Sequence, residues 1–508
     1  MDINSISSTA FEGLQMAQAG MLVTSQNVSG SSVDGYSKRS ANAVIDSMAP
    51  NAMNLSGTAF ATNGFIRQYN SLVGSQLLNQ QANSGYTDTL VQYTSSINSL
   101  VANSSTGLQT SIANFFNAMG TYATNPTGQA AQSGLTGSAT QVAAGMAGMV
   151  SMVSQLSSNA KSGLVDSVNQ VNTLLPQLAQ VNQQIVNSNA GGSNTGVSPD
   201  MLDQRDQILS KLQTLVGGQT LINSDGTATQ IVGGMPLVER GTANKLSINT
   251  PDNPSLSVQF APQSVNGGKD IQQIQAPTTG QIGALMTLSS QFVPLLNQRL
   301  NTLAQSLVSI ANNVSGASAN SNGALSIFGF KTGSGTVGDT RAVGGDVTNR
   351  IPAITSDTAM SNLYQANATD SLGLVANGLT AANFISLAPS DNTNYTNQSG
   401  VTVNGISPGQ QFITSAAANT ASQYSTVMGN GVANLVSDVG VQVATWTNNQ
   451  TANQAVLSNL QSQQSAISGV NLDEEAANLL KFQQLYQASS KVLQAGNEMF
   501  QSILTIMV

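Results

Sequence analysis

The chain carries few of the residue types that enzymes use for chemistry. Its 508 residues include no His and no Cys, so the commonest general base, the commonest metal ligand and thiol chemistry are all missing. Carboxylates and glycine-rich turns are the remaining candidates. Neither a Gly-x-Ser-x-Gly motif nor a Walker phosphate-binding motif occurs. These observations disfavour an enzyme.

One segment has the spacing of a nucleotide-binding loop. Residues 333–338 (Gly-Ser-Gly-Thr-Val-Gly) match the dinucleotide-binding pattern, and Asp357 follows at a plausible distance. The pattern requires a strand before it and a helix N-terminus after it. No strong strand pattern precedes it, and residues 339–346 are typical of a glycine-rich loop. We interpret the segment as a loop and predict no cofactor.

Two acidic groups could act as carboxylate sites. Asp203 and Asp206 share one helical face beside Arg205, and salt bridges with neighbouring basic groups explain them better than acid–base chemistry. The acidic run 473–475 could bind a cation, but negative charge at a helix start also offsets the helix dipole. We therefore predict no catalytic residue, no cofactor-binding residue and no metal ligand.

Composition narrows the class of partner. Charged residues make up 7% of the chain, against about 25% in an average globular protein, and the net charge is −8. The 15 Lys and Arg residues form no basic patch, so nucleic acid and anionic membranes are poor candidate partners. Asp2 stands where a Sec signal has basic residues, and no apolar run is long enough to span a bilayer. We expect a cytoplasmic protein or one exported without a cleavable signal.

The strongest structural pattern lies in the C-terminal tail, residues 469–508. Asn471 is predicted to cap a helix, with Glu474 at the capping-box position. Apolar residues then form a stripe that needs a partner along the whole helix. The stripe has a line repeated every seven residues (Leu472, Leu479, Tyr486, Leu493, Phe500, Met507), a second line (Leu485, Val492, Met499, Ile506) and the positions Phe482, Ser489, Gly496 and Ile503.

The N-terminus offers such a partner. A heptad pattern alternates small and mostly large residues, namely Ile3, Ser7, Ala10, Leu14, Ala17, Met21, Thr24 and Val28. We predict that the two terminal helices pack on each other, parallel or antiparallel, and on neighbouring copies; the alternative is two unrelated helices that cap separate domains. The residues expected at subunit contacts are Leu14, Met21, Val28, Leu472, Leu479, Phe482, Tyr486, Leu493, Phe500 and Ile503.

Between the ends, helical patterns alternate with β-type patterns. This order predicts a mainly α fold with inserted β domains, elongated and nested, with the terminal helices paired in a coiled-coil-like base. Separate helices are expected over 64–101 and 108–122, and Pro176 is expected to kink or interrupt a helix over 129–189. The predicted domains are the base and inner tube (1–62, 465–508), a helical middle domain (63–216, 281–316, 412–464), a β-rich insertion (217–280) and a variable β-rich outer domain (317–411).

Several motifs resemble those of flagellar axial proteins. Residues 468–475 (Ser-Gly-Val-Asn-Leu-Asp-Glu-Glu), with the segments 478–479 and 482–484, resemble the C-terminal signature of the flagellar hook-associated protein 1 family. Residues 25–29 and 35–39 are similar to the N-terminal motif of rod, hook and junction proteins, although Gln26 and Gly30 replace the usual Asn and Lys38 replaces Arg. Segments 202–206 and 233–238 resemble the junction family more specifically than the other axial proteins. The resemblance covers about residues 1–313 and 424–508.

The resemblance implies an extracellular, non-enzymatic protein that forms a ring at the hook–filament junction. Its partners would be its own copies, the hook protein, the second hook–filament junction protein (hook-associated protein 3), a flagellar export chaperone and the type III export apparatus, which exports it uncleaved. The chaperone would hold the C-terminal helix, through the residues Leu485, Leu493 and Phe500. The alternatives are another axial protein, such as a hook or filament subunit, and a secreted hydrolase acting on peptidoglycan through paired carboxylates.

Overall fold

Helices dominate the chain, and small antiparallel sheets lie between them. The structure is a computed structural model that describes residues 3–46, 59–125, 128–190, 197–248, 255–259, 271–314, 327–332, 335–337, 351, 354, 356–386, 395–396, 402–403 and 415–506. The chain forms two compact units. Unit 1 comprises Met1–Asp88, Leu164–Ala284 and Gln450–Val508, and unit 2 comprises Thr89–Gly163 and Leu285–Asn449.

The helices of the described chain include several of more than fifty residues. They are α1 (Ile3–Gly30), α2 (Ser71–Thr124), α3 (Gln129–Ala190), α4 (Pro199–Val216), α5 (Gly280–Thr287), α6 (Val293–Val314), α7 (Asp357–Thr369), α8 (Ser415–Ser468) and α9 (Leu472–Ile506). A π-helical turn (Leu288–Phe292) joins α5 to α6, and a 3₁₀ turn spans Ala381–Asn383. Within the described residues, no helix is long and apolar enough to cross a membrane.

The strands pair as antiparallel neighbours. They are β1 (Arg39–Asp46), β2 (Ala59–Arg67), β3 (Gln219–Ile222), β4 (Ala228–Val232), β5 (Met235–Glu239), β6 (Thr242–Ala243), β7 (Lys245–Ile248), β8 (Leu256–Gln259), β9 (Ile271–Gln273), β10 (Phe328–Thr332), β11 (Gly335–Val337), β12 (Phe384–Ser386), β13 (Tyr395–Thr396) and β14 (Thr402–Val403). Unit 1 holds the sheets β1-β2, β3-β4-β5-β6 and β7-β8-β9, and unit 2 holds β11-β10-β12 and β13-β14. The predicted mainly α fold with inserted β structure is confirmed.

Each unit has its own hydrophobic core. In unit 1, apolar residues of α4 and the second half of α3 are buried together with the inner faces of the small sheets; they include Leu175, Leu178, Ile185, Leu209, Leu212, Val232 and Leu237. In unit 2, aromatic rings are stacked at the centre, with Phe115 and Phe328 centroids 4.8 Å apart and Phe328 and Phe384 centroids 5.0 Å apart. Such pairs supply large buried areas.

Two expectations about individual elements are wrong, and of the two outcomes expected at Pro176, a kink or an interruption, the structure excludes the interruption. The helices expected over 64–101 and 108–122 form one continuous helix, α2. The helix α3 runs through Pro176 without ending, because Leu175 and Leu178 on either side are buried while Pro176 is exposed. The helix α7, capped by Ser356, whose side chain accepts from the Ala359 N–H, lies in a stretch for which only β structure is predicted.

Candidate functional site

The N- and C-terminal helices pack against each other in antiparallel orientation. This result selects one of the two orientations that the heptad pattern allowed. Residue numbers rise along α1 as they fall along α9, because the facing pairs are Ser7 with Gly496, Gly13 with Ser489, and Gly20 with Phe482.

Small residues allow the two helices to approach closely. A Cβ atom on Gly20 would lie 2.5 Å from Cζ of Phe482, and one on Gly13 would lie 2.5 Å from Oγ of Ser489. Both distances are too short for real contacts, so an alanine at either position would force the facing side chain of α9 to move. Ala10 of the small heptad line is buried as well. The side chains of α9 therefore enter notches in α1.

The helix α1 covers only one face of α9. Ser489 and Gly496 are buried at this contact, whereas the two lines of large residues lie on either side of it. Several of their members are from 38% to 54% exposed. The exposed large apolar residues of the pair are Phe11, Leu22, Val28, Leu472, Leu480, Tyr486, Val492, Met499 and Phe500. The stripe is thus wider than one partner helix can cover.

The residues predicted to make contacts fall into two groups. The first group is half-buried in the single chain and consists of Leu14, Met21, Leu479, Phe482, Leu485 and Leu493. The second is exposed and consists of Val28, Leu472, Tyr486 and Phe500. The side chains of Ile3, Ile503, Ile506 and Met507 lie outside the described residues.

The segment after α1 folds back onto it through Asn27. The Asn27 amide oxygen accepts from the Tyr36 hydroxyl at 2.9 Å and from the Arg39 backbone N–H at 3.0 Å, and its Nδ2 donates to the Arg39 carbonyl at 3.0 Å. Gly35 has φ +78°, which favours glycine, and the adjacent Asp34 carbonyl accepts from Nε2 of Gln207 at 2.7 Å. Residues 25–29 and 35–39, the two segments that resemble the N-terminal motif of flagellar axial proteins, are thus hydrogen-bonded to each other in one turn.

Lys38 joins this turn to the beginning of α9. Its backbone N–H donates to the Ser468 carbonyl at 2.7 Å, at the end of α8. Its Nζ lies 2.8 Å from Oε1 of Glu474 and 3.6 Å from Oε1 of Glu475, whose side chain is buried. Asn471 caps α9 as predicted, since its side chain accepts from the Asp473 N–H at 3.0 Å. The acidic helix start is explained by an ion pair.

A second ion-pair cluster lies between this turn and α4. Asp203 is buried, and its carboxylate lies 3.1 Å from Nη1 of Arg67 and 3.6 Å from Nη2 of Arg39. Asp206 binds the same Arg67 at 2.7 Å and Arg205 at 2.7 Å. Asp200, at the start of α4, also pairs with Arg39. The preference for salt bridges over a catalytic carboxylate pair agrees with this geometry.

Electrostatics favour the charged guanidinium at the centre of the cluster. Burial opposes the charge of Arg67, but the charge and hydrogen bonds of Asp206 and Asp203 outweigh it and raise the pKa of Arg67. The pKa of Arg39 is raised in the same way, against burial, by the hydrogen bond to Asp200 and by nearby negative charge. Burial raises the pKa of Tyr69, whose ring lies 4.1 Å below the Arg67 guanidinium. These groups act as fixed structural charges.

Three motifs that are far apart in the sequence therefore meet in unit 1. Segment 35–39 contacts both segment 202–206 and segment 468–475. Sequence reasoning missed Arg67 and Asp200 in this cluster, because neither lies in a quoted motif. The sequence pattern places Arg67, whose side chain is 6% exposed, in the helix expected over 64–101, so it gives no signal for a buried ion pair at this residue.

The glycine-rich segment 333–338 forms no nucleotide site in the described residues. Gly335–Val337 is strand β11, which pairs with β10. The prediction of a loop without a preceding strand is wrong, because Phe328 and Phe330 alternate in a buried strand. No helix N-terminus is formed at Gly335–Val337, so this part of the motif cannot cradle a phosphate. No cluster of metal-ligating side chains was found among the described residues.

Comparison with known proteins gives consistent results. Residues 94–328 match the family described as flagellar hook-associated protein FlgK helical domain, and residues 461–506 match that described as flagellar basal body rod FlgEFG protein C-terminal. The chain is 27% identical over 550 residues to flagellar hook-associated protein 1 of Escherichia coli (strain K12), covering 99% of this chain and 100% of the relative. The protein of that name from Salmonella typhimurium (strain LT2) is 27% identical over 559 residues, with the same coverage.

A solved structure shares the fold. The flagellar hook junction protein FlgK from Burkholderia pseudomallei superposes with a TM-score of 0.54 and 17% identity, covering 78% of this chain and 100% of that chain. Full-length similarity, the matched helical domain and the antiparallel terminal helices agree with the motifs at both ends. Together these matches support the identity that the terminal motifs indicate, flagellar hook-associated protein 1.

Proposed function

We propose that this chain is a structural junction protein of the bacterial flagellum, whose copies form a ring that joins the hook to the filament. The observation that carries the proposal is the uncovered apolar surface of the terminal helix pair. Exposed residues such as Phe11, Val492 and Met499 lie outside the α1–α9 contact. A surface of this kind marks a protein–protein contact.

The size of this surface suits a contact with several neighbours. Burial of one large apolar side chain stabilises by about 1.5–3 kcal/mol. Association of two proteins costs about 4–15 kcal/mol in lost freedom of motion. Two such side chains contribute about 3–6 kcal/mol, which reaches only the low end of that cost, whereas the nine exposed apolar residues distributed along α1 and α9 can offset more of it. We therefore expect the residues predicted at subunit contacts to act together.

The partners follow from the family. We propose that the ring contacts hook protein on one side and the second junction protein on the other, outside the cell. Before export, a chaperone would bind α9 through Leu485, Leu493 and Phe500, and the type III apparatus would export the chain uncleaved. The half-buried state of Leu485 and Leu493 in the single chain supports competition between α1 and the chaperone for α9. We also propose that the protein has no enzymatic activity.

The predicted domains are expected to have different roles in assembly. We propose that the base, residues 1–62 and 465–508, makes the contacts that build the ring. The outer domain, residues 317–411, would be dispensable for assembly. Its removal should leave the ring intact.

Deletion of the gene followed by complementation tests the function. The null strain should make hooks without filaments and release filament subunit into the medium. The double variant Val492→Ser/Met499→Ser removes two exposed apolar residues outside the predicted chaperone contact. We expect it to be secreted but absent from isolated hooks on immunoblots.

The matched control is Val165→Ser/Val441→Ser, which removes two exposed valines from α3 and α8. This variant should join hooks as the wild type does. Normal filaments in the null strain would contradict the function, and full incorporation of Val492→Ser/Met499→Ser would contradict the role of the tail.

A further inference from the structure

The two halves of the helix α8 differ in how much apolar surface they bury. The first half buries a series of apolar side chains, namely Ala421, Val427, Met428, Val432, Leu435, Val439, Val443 and Trp446. From Gln450 onward, Leu460 is the one buried apolar side chain among the described residues of α8 and α9. Apolar burial is the main stabilising contribution to a packed helix. The C-terminal arm, which we define as residues 450–506, is therefore held weakly.

Polar side chains make the contact between the C-terminal arm and α2. Nε2 of Gln450 and Nε2 of Gln454 both donate to Oδ1 of Asp88, at 2.8 Å and 3.0 Å. Nε2 of Gln80 donates to the Asn453 carbonyl at 2.8 Å. We call these five residues the polar seam. Water can replace each of these hydrogen bonds when the helices separate, so their net contribution to stability is small.

Two buried oxygens between the same helices lack hydrogen bonds. Oε1 of Gln81 in α2 and Oε1 of Gln464 in α8 have no hydrogen-bond partner among the described residues. Both glutamines also line a cleft of about 750 Å³, so the helices lose packing contacts there. Separation of α8 from α2 would let water reach both oxygens. Because a buried acceptor without a donor costs free energy, this exposure favours opening.

We propose that the C-terminal arm detaches from α2 as one unit while the first half of α8 stays packed. Residues 469–471 alone link α8 to α9, and Lys38 contacts both sides of that link, through the Ser468 carbonyl and the Glu474 carboxylate. Separation of either helix breaks these contacts, so the two helices open together. The apolar core of unit 1, formed by α3, α4 and the small sheets, remains intact.

Release at the polar seam frees α9 from α1 without unfolding the rest of unit 1. The opening is a property of the single chain. Only its purpose, which is to make α9 available to neighbouring copies and to the chaperone, rests on the proposed function.

Hydrogen exchange of the purified full chain, followed by mass spectrometry, tests the opening. Peptides from 450–468 and from 472–502 should exchange with one common opening free energy, and faster than peptides from 421–446. Protection of 450–468 equal to that of 421–446 would overturn the proposal.

Two double variants test the role of the buried oxygens. Gln81→Met/Gln464→Met replaces both amides with apolar groups of similar volume and should slow exchange of both arm peptides about tenfold. The matched control Gln76→Met/Gln463→Met changes one exposed glutamine on each of the same helices and should leave exchange unchanged. Equal effects of the two variants, or slower exchange in α8 without slower exchange in α9, would overturn the proposal.

A variant of opposite sign keeps the test decisive if Gln81→Met/Gln464→Met folds poorly. Asp88→Ala removes the acceptor shared by Gln450 and Gln454, so both arm peptides should exchange severalfold faster. Unchanged exchange would overturn the proposal. If the exchange tests fail, the junction function stands; if a null strain makes normal filaments, the proposed function fails and the opening of the arm stands.

Discussion

Phe482 of α9 lies against Gly20 of α1, with no room for a single methyl group between them. This contact and the similar one between Gly13 and Ser489 fix the register of the two helices, seven residues apart on each. A heptad pattern alone permits several registers, because every register buries apolar residues. The notches limit the choice to one. Local fit therefore sets the position of the apolar flanks that face outward.

The first prediction concerns Gly20→Ala. Its Cβ would lie 2.5 Å from the ring of Phe482, so the ring must move and lose its packing. We expect a destabilisation of about 1–3 kcal/mol, as is usual when a packed contact is overfilled. Hydrogen exchange of α9 amides should become faster by a corresponding factor, because α9 separates from α1 more often.

The control for this substitution is Gly440→Ala in α8, where a Cβ atom would meet nothing within 4 Å. Alanine stabilises an uncrowded position inside a helix by about 1 kcal/mol relative to glycine, so exchange should not become faster. Equal protection of α9 in the wild type and in Gly20→Ala would show that the notch does not hold the helices together.

The second prediction is a rescue. Gly13→Ala places a Cβ atom 2.5 Å from Oγ of Ser489 but 3.4 Å from its Cβ, which is an ordinary contact. Gly13→Ala alone should lower the melting temperature, whereas the double variant with Ser489→Ala should melt at or above the wild-type temperature. A double-mutant cycle should give a coupling of about 0.5–3 kcal/mol. A coupling near zero would mean that the two residues do not face each other.

The third prediction compares two aspartates of α4. Asp203→Asn removes a buried negative charge from between Arg39 and Arg67, and loss of one partner from a buried ion pair costs about 3–5 kcal/mol. Asp200→Asn removes a carboxylate that is 75% exposed and should cost about 0–1 kcal/mol. Urea unfolding of both variants measures the difference. Similar midpoints would show that the cluster is not a stabilising core.

The fourth prediction concerns alkaline pH. Burial raises the pKa of Tyr36 above its ordinary value of 10.0, although Arg39 opposes this. The folded state therefore prefers the neutral phenol, and this stabilisation is complete below pH 10.0 and is lost as the pH rises through the folded value. The free energy of unfolding should fall more steeply above pH 10.0 for the wild type than for Tyr36→Phe. If the free energies of unfolding of the wild type and Tyr36→Phe fall in parallel with pH, burial of the Tyr36 phenol does not contribute to stability.

The sequence predicted those features that repeat along one helix. The pairing of α1 with α9 follows from heptads at both ends, and the cap at Asn471 follows from local chemistry. The contact between Gly20 and Phe482 could not be predicted, since it depends on a register between residues more than 450 positions apart. A repeat along one helix can be recognised within a single segment of the sequence. The register between two helices depends on both segments together.

The ion-pair cluster shows the same limit. The sequence predicts a salt bridge for Asp203, yet the partner Arg67 lies 136 positions away in a different element. Charge alone does not select a partner among 15 basic residues.

Strand β10 is an element that the sequence prediction missed for a different reason. Its alternating Phe328 and Phe330 were a usable signal, but the glycines that follow obscured it.

The last prediction concerns Lys38, which contacts the end of α8 through its backbone and the beginning of α9 through its side chain. Lys38→Met keeps the apolar stem and the hydrogen bond to Ser468, but leaves the buried carboxylate of Glu475 unpaired. We expect the α8–α9 connection, residues 469–471, to open more often and thermolysin, which cleaves before Val and Leu, to cut there severalfold faster. Glu474→Gln removes a carboxylate that is 56% exposed and should change the rate little. If Lys38→Met is cut no faster than Glu474→Gln, the buried pair with Glu475 does not hold the beginning of α9, and the backbone hydrogen bond to Ser468 is sufficient.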